Sequence, residues 1–280
     1  NTVSYFNAYY NADRLFSQAE DEILEAEKTA RLRGSPQGER PAIIPASARQ
    51  KLTVVNEKCS NILSFHPESA LVDDALLLIG KSYFYQTEYL KAERKFSELL
   101  SQFPTSSLAP EAELWLVKTM IRLGKNDEAL AVAQSLAQEA SGQGANDLAG
   151  ETFFWIGDLQ VLMGNKTKAL ESFQKVEDFT SDASLLSSSR LKSGTVLFSL
   201  GEYARAASAF LKAAELAEGP AMQFGPKLEA LRSLRAAREY EAALQLAEEM
   251  LSDFRFSSVS KEVLFERGLT YAAQGARMEA

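Results

Sequence analysis

A small residue inside a helical pattern recurs along this chain at a nearly constant interval, and that interval limits the folds open to it. Leu71–Ser106 contains two amphipathic helical patterns joined by a short polar turn. Gly80 lies in the first pattern and Ala92 in the second. Both fall where two antiparallel helices would cross closely, so a bulky side chain there would cost roughly 1–3 kcal/mol. The stretch predicts a helical hairpin.

The position of Gly80 has an equivalent in every later segment of the chain. The successive steps are 37, 40, 37, 37 and 37 residues, and they reach Val117, Gly157, Gly194, Leu231 and Gly268. The unit with Leu231 is degenerate, because leucine stands there in place of the glycine. The second-helix alanine keeps the same register, at Ala129, Ala169, Ala206 and Ala243. Such a period is the signature of a repeat array, in which each unit packs only on its neighbours.

The hairpin pattern resembles the tetratricopeptide repeat, which has a small residue in its first helix, an alanine and an aromatic in its second, and a terminal proline such as Pro104. The resemblance implies an all-α fold, a right-handed superhelix (α-solenoid) of about six and a half helical hairpins. The family's usual period is about 34 residues. We therefore expect the extra residues to lengthen the turns between repeats.

The repeat register predicts a single array over residues 1–280. Ser141–Asp147 (SGQGAND) is predicted to be a flexible turn that accounts for the 40-residue step. The predicted parts are an N-terminal capping helix, an insertion loop at 34–45 and a split first repeat within 1–70, five repeats over 71–257, and the first helix of a further, truncated repeat over 258–280. The loop is rich in Gly and Pro, which end helices.

Charge and composition exclude several function classes. The net charge of −8 argues against a general nucleic-acid binder and against electrostatic docking on anionic lipid. No apolar run approaches the roughly 20 residues of a membrane helix. With His66 and Cys59 as the sole histidine and cysteine, an ordinary zinc site cannot be built, and no phosphate-binding loop motif occurs. We predict no metal and no cofactor, and a buried core role for Cys59.

The strongest catalytic candidate is a pair of carboxylates. Glu151 and Asp158 lie seven residues apart on one helix face, which places them about 10 Å apart along the axis. That separation is at or beyond the upper edge used by inverting glycosidases. We predict solvated surface charges and no enzymatic activity, with a helical-hairpin hydrolase as the alternative.

The resemblance also implies a binding surface, because first helices line an inner groove in the tetratricopeptide family. The groove residues it assigns are Lys81, Phe84, Tyr85, Lys118, Ile121, Arg122, Phe154, Asp158, Phe198, Arg232 and Arg235. Cations at Lys81, Lys118 and Arg122 interleave with aromatic rings, which fits a peptide with acidic and apolar side chains. The alternative is a solvated groove whose charges have no partner. The family's asparagine-bearing carboxylate clamp is not matched.

Two linkers resemble the repeats of bacterial envelope proteins, including the lipoprotein subunit of the outer-membrane β-barrel assembly machine and the periplasmic factor that coordinates cell-wall synthesis. They read SFHPESALVDDALLLIGKSYF and QFPTSSLAPEAELWLVKTM, and the resemblance covers about Val54–Leu123. The opening SYFNAYYNADRLF resembles the start of outer-membrane lipoproteins, just after the lipidated cysteine. That cysteine is not among these residues, so a lipid anchor would precede Asn1.

This resemblance implies a non-enzymatic, periplasmic scaffold or adaptor in envelope assembly or secretion, with outer-membrane anchoring. Two other readings remain open. One is a cytoplasmic adaptor or regulator with the same groove. The other is self-association through the aromatic N-terminal helix and the C-terminal end of the array.

Overall fold

The computed structural model describes residues 2–32 and 44–278, with side chains described for residues 7–29 and 44–275. These residues form thirteen α-helices and a short 3₁₀ helix, with no strand among them, which confirms the all-α prediction. The helices are α1 Thr2–Leu32, α2 Ala46–Phe65, α3 Val72–Tyr85, α4 Tyr89–Gln102, α5 Ala109–Arg122, α6 Asn126–Gln143, α7 Asn146–Leu162, α8 Lys166–Phe179, α9 Ala183–Ser199, α10 Tyr203–Leu216, α11 Gly219–Ala236, α12 Tyr240–Ser252, the 3₁₀ helix Phe254–Val259 and α13 Ser260–Met278. Most of the predicted insertion at 34–45 lies outside the described residues.

The described residues divide into two compact units. Unit 1 contains residues 2–27 and 44–159, and unit 2 contains residues 28–32 and 160–278. The hairpins α3/α4 and α5/α6 belong to unit 1, and α9/α10 and α11/α12 belong to unit 2. The prediction of a single array stays a prediction. No helix in the described part of the chain is long and apolar enough to cross a membrane.

The turns of the five hairpins from α3/α4 to α11/α12 have the same backbone geometry. One residue of each of these turns has a positive φ of 63–79°, and these residues are Thr87, Gly124, Gly164, Gly201 and Arg238. The next residue's N–H donates to a carbonyl five positions earlier, as from Glu88 to Tyr83 at 2.9 Å. This is the Schellman arrangement, which satisfies the last carbonyls of a helix. The residues with positive φ repeat at steps of 37, 40, 37 and 37. The backbone conformation therefore shows the same repeat period as the side-chain pattern.

Ser141–Asp147 is mostly helical, so the prediction of a flexible turn there is wrong. The α6 helix continues to Gln143, Gly144 ends it with φ 72°, and α7 begins at Asn146. The helix has 18 residues where α4 has 14. The longer repeat therefore adds about one helical turn to α6 instead of a loop.

The extra residues of the period do not always lengthen the linkers between repeats. The linkers 66–71 and 103–108, on either side of the α3/α4 hairpin, agree with that expectation. In unit 2, residues 180–182 suffice between α8 and α9, and α9 extends to 17 residues. Length that forms a linker in one repeat forms helix in another.

The two helices of a hairpin contact each other through residues 16 positions apart. A Cβ at Gly80 would lie 2.4 Å from the Phe96 ring, and one at Gly194 would lie 2.7 Å from the Phe210 ring. The close crossing expected at Gly80 is therefore present. Its partner across the hairpin is a large aromatic side chain, which packs over the bare backbone of the glycine.

In two hairpins without this glycine, the larger side chain is on the first helix and the smaller one on the second. Val117 is fully buried in one core cluster with Ala133, and Leu231 is fully buried in another with Ala247. In each pair the residues are again 16 positions apart. Cores are close-packed, so a larger residue on the first helix requires a smaller one on the second.

The first hairpin is built from α1 and α2. Phe16, Ile23, Leu52 and Cys59 share its core with residues of α3. Cys59 is fully buried, and burial raises the pKa of its thiol to about 12. Because the thiolate is the reactive form, this cysteine is an inert core residue, as predicted.

Candidate functional site

Unit 1 concentrates aromatic rings and lysines on its first helices, and this group contains several predicted groove residues. We call it the aromatic–lysine cluster. It consists of Phe16 on α1, Lys81, Phe84 and Tyr85 on α3, Trp115 and Lys118 on α5, and Trp155 on α7.

Trp115 is the centre of the cluster. Its ring centroid lies 5.2 Å from that of Phe84 and 5.8 Å from that of Tyr85, both edge-on. It also stacks against Phe96 of the hairpin core at 6.4 Å. Its indole N–H donates to Glu111 Oε1 at 3.3 Å. The cluster is thus continuous with the core, which holds its rings in place.

Each lysine lies between aromatic rings and pairs with a carboxylate of the following first helix. Lys81 Nζ is 5.2 Å from the Phe16 centroid, 5.3 Å from the Trp115 centroid and 3.1 Å from Glu111 Oε1. Lys118 Nζ is 4.1 Å from the Trp115 centroid and 2.7 Å from Glu151 Oε1. Both contacts stabilise the ammonium groups.

These pairs change the electrostatics expected of the groove. Lys81 and Lys118 have side chains only 19% and 11% exposed, whereas their partners Glu111 and Glu151 are 44% and 39% exposed. Two of the three predicted cations are therefore neutralised, with carboxylates on the outer side. Lys118 is also not the surface position that its sequence pattern indicated. Arg122, one helical turn further along α5, is exposed.

The α1 helix contributes to this site, which sequence reasoning missed. The Tyr85 hydroxyl donates to Glu20 Oε1 at 2.7 Å, and Phe16 contacts the Tyr85 ring at 5.9 Å. Burial, followed by the charge of Glu20, raises the pKa of Tyr85, so the phenol stays protonated and donates.

The tryptophans were also missed, although the sequence contains a signal for them. The chain has two tryptophans, and they lie 40 residues apart, which is the repeat step between their hairpins. Trp115 and Trp155 therefore occupy one repeat position. Lys118 lies between their rings, with its Nζ 5.7 Å from the Trp155 centroid.

The other predicted groove residues have different surroundings. Ile121 is half-buried and packs on the α5/α6 core, and Phe154 contacts Trp155 edge-on at 5.6 Å. Asp158 is half-buried. In unit 2, Phe198 is partly exposed and contacts Tyr203 at 5.1 Å.

Arg232 and Arg235, predicted as groove cations, both bind one buried carboxylate of unit 2. Glu266 accepts from Arg232 Nε at 2.8 Å and from an Arg235 terminal nitrogen at 2.9 Å. Like Lys81 and Lys118, these cations are engaged within the protein.

The candidate catalytic carboxylates are not arranged as a free pair, because Glu151 is the ion-pair partner of Lys118. Within the described residues, no group of three or more His, Cys, Asp or Glu side chains could hold a metal ion.

Reversing the charge of Lys118 should destabilise unit 1, whereas reversing that of Arg122 should not. In Lys118→Glu, a second carboxylate would face Glu151 against the Trp115 ring, and we expect a loss of about 1–3 kcal/mol in the free energy of unfolding. Arg122→Glu changes an exposed position and should stay within about 0.5 kcal/mol. Urea unfolding followed by tryptophan fluorescence measures both. Equal stability of the two variants would show that the Lys118 contacts contribute nothing.

Comparison with known proteins agrees with the repeat geometry. Two family models, both described as tetratricopeptide repeat, match residues 77–146 and 151–178. These two segments of the chain are therefore similar to tetratricopeptide repeats. The two matches include the α3/α4 turn at Thr87, the cluster residues of α3, α5 and α7, and the α5/α6 hairpin.

Solved structures share the tetratricopeptide fold at low sequence identity. PilW, described as a widely conserved type IV pilus biogenesis factor, aligns with a TM-score of 0.60 and 15% identity over 88% of this chain and 98% of its own. Pseudomonas aeruginosa pilF aligns at 0.56 and 13% identity over 93% and 99%. MamA aligns at 0.53 and 16% identity over 69% and 96%. No curated protein sequence matches this chain significantly.

Proposed function

We propose that this protein is a non-enzymatic scaffold that binds a peptide segment of a protein partner at the aromatic–lysine cluster of unit 1. The observation that carries the proposal is the arrangement of Lys81 and Lys118 between aromatic rings, each covered by a more exposed carboxylate. The tetratricopeptide repeats support it, because helical repeats of this kind present extended surfaces for protein partners.

The internal carboxylates indicate what the partner would offer. Glu111 and Glu151 pair with lysines that are already desolvated and held by rings. A peptide carboxylate can take the same place, while its apolar side chains contact Phe84 and Tyr85. Glutamate or aspartate interleaved with apolar residues therefore fits the cluster, and Arg122 adds an exposed cation beside it.

The cellular part of the proposal is a role in bacterial envelope assembly or secretion, on the periplasmic side and with outer-membrane anchoring. It is supported by the linker sequences around Val54–Leu123 and by the similarity in fold to PilW, a type IV pilus biogenesis factor. A cytoplasmic adaptor is the alternative. Fractionation of source cells distinguishes them, because recovery of the protein in the soluble cytoplasm would overturn the envelope role.

A matched pair of peptides tests the binding site. The two share leucine and phenylalanine positions, and one carries glutamates where the other carries lysines. We expect the wild type to prefer the acidic peptide, and the variant Glu111→Gln/Glu151→Gln to bind it about five- to tenfold more tightly, because both lysines lose their internal partners. Fluorescence anisotropy of labelled peptides measures the affinities.

The control replaces carboxylates that pair with lysines elsewhere. Glu88→Gln/Glu98→Gln removes the partners of Lys91 and Lys95 on α4 and should leave both peptide affinities unchanged. If Glu111→Gln/Glu151→Gln instead binds the lysine peptide less well and gains nothing for the acidic one, the partner is basic. Unchanged affinities for both peptides would overturn the site itself.

A further inference from the structure

Three first helices of unit 1 carry a charged residue at the same repeat position. Lys81 on α3, Lys118 on α5 and Asp158 on α7 each lie one residue after the crossing position that Gly80 occupies in α3. All three belong to unit 1. Residues at one repeat position lie on the same face of successive repeats. This face therefore carries the charge order positive, positive, negative across α3, α5 and α7.

Aromatic rings join the three positions into one row. Lys81 Nζ is 5.3 Å and Lys118 Nζ is 4.1 Å from the Trp115 ring centroid. Lys118 Nζ also lies 5.7 Å from the ring centroid of Trp155. Asp158 comes three residues after Trp155 on α7, which places the two side chains next to each other on the helix surface. The row therefore runs along the aromatic–lysine cluster and ends at Asp158.

The row has a different residue type at its α1 end. Two contacts join α1 to α3 at the same offset of 65 residues, Phe16 with Lys81 and Glu20 with Tyr85. Because the offset is constant, α1 lies in register with α3, and Phe16 is its counterpart of Lys81. Phe16 is uncharged and only 3% exposed. The two ends of the row are therefore chemically distinct.

We infer that the partner segment carries two acidic residues and then a basic one, about three residues apart, opposite Lys81, Lys118 and Asp158 in that order. The inference rests on the proposed function and adds the order of charges to it. Neighbouring packed helices lie about 8–10 Å apart, and an extended chain advances about 3.3 Å per residue. A segment that crosses the three helices therefore meets one charged position at about every third residue.

The row also disfavours other charge orders. A partner carboxylate opposite Asp158 would meet a like charge at a half-buried position. A partner ammonium at the middle position would meet Lys118. Specificity arises from such repulsive contacts as well as from attractive ones. A segment with its basic residue between the two acidic ones should therefore bind less tightly than a segment of the same composition in the inferred order.

Three labelled peptides of one composition test the order. EFSELSK and KFSELSE carry the inferred order in the two chain directions, whereas EFSKLSE has its lysine between the glutamates. In fluorescence anisotropy, we expect the wild type to bind one of the first two about fivefold more tightly than EFSKLSE, and the preferred one gives the direction of the bound segment. Asp158→Lys should reduce this preference to less than about twofold, because the row then has no negative position.

Asp127→Lys is the matched control, because it makes the same change of charge at an exposed position on α6, a second helix of unit 1. It should keep the full preference. Asp158→Asn changes the side-chain size little and should also reduce the preference. Circular dichroism of each variant confirms that it is folded.

Equal binding of the three peptides by the wild type overturns the inferred order. The proposed function still stands in that case if all three bind more tightly than KFSKLSK, and it fails together with the order if none of them binds. A preference that persists in Asp158→Lys also overturns the inference. If that preference is then lost in Glu20→Gln, the basic residue of the partner lies at α1 instead.

Discussion

Replacing Gly80 by valine is expected to destabilise unit 1 by about 2–3 kcal/mol, and the double variant with Phe96→Ala should lose less than the two single losses added together. A Cβ at Gly80 would lie 2.4 Å from Phe96 Cε1 and 2.8 Å from two further ring atoms. The ring is fully buried and stacks on Trp115, so it cannot move away without disturbing the core. The single variant overpacks the α3/α4 crossing.

The reverse change should also be costly alone. Phe96→Ala leaves a cavity beside Gly80 and should cost about 3–5 kcal/mol. Combined, the two substitutions place valine on the first helix and alanine on the second, which is the pair that Val117 and Ala133 form in the next hairpin. We expect the double variant to lose about 1–3 kcal/mol less than the sum of the singles.

Tryptophan fluorescence during urea unfolding measures this cycle, because both tryptophans of the chain belong to unit 1. Gly142→Val serves as control, since its new side chain would meet open space, and it should change the free energy of unfolding by no more than about 0.5 kcal/mol. Additive losses from Gly80→Val and Phe96→Ala would show that the two residues do not compensate each other in size.

The same pairs show how far the sequence predicts this fold. The register of Gly80 and its equivalents predicted the hairpins because a helix crossing needs a small residue at a fixed place. Taken alone, Val117 and Leu231 do not fit the rule that a small residue lies at this position. Together with Ala133 and Ala247, each 16 positions later, they also indicate a helix crossing, in which the large side chain is on the first helix and the small one on the second.

The binding surface was less predictable, because it depends on contacts between repeats. Lys81 meets Glu111 and Lys118 meets Glu151 across 30 and 33 positions, and a periodic pattern gives the helix face of each residue but not its ion-pair partner. A carboxylate on the next first helix therefore turned a predicted basic groove into paired charges. The Ser141–Asp147 segment failed for a local reason. Its glycines and serine favour loops by intrinsic propensity. Ala137 and Ala140, however, are buried in the core, and the α6 helix that contains them continues to Gln143.

Glu266 is expected to be the most sensitive charged residue of unit 2. Its side chain is only 5% exposed, and its two oxygens accept from Arg232 and Arg235. Glu266→Gln keeps the shape but removes the charge, which leaves Arg235 without its counter-charge and Arg232 with Glu229 alone at the α11/α13 contact. Removing one partner of a buried pair costs about 3–5 kcal/mol, and we expect about 2–4 here because both arginines are about a third exposed.

Thermal unfolding followed by circular dichroism measures the loss, and hydrogen exchange of the α13 amides should show it locally. Glu248→Gln is the control. Glu248 is the exposed ion-pair partner of Arg267, which lies on α13 like Glu266, and its loss should cost no more than about 0.5 kcal/mol.

A third variant separates charge from packing. If the penalty comes from uncompensated guanidinium groups, then Glu266→Leu combined with Arg232→Met and Arg235→Leu should be more stable than Glu266→Gln alone, since no charge remains buried. A triple variant that is less stable than the single one would mean that the hydrogen bonds of Glu266 hold α13 in place.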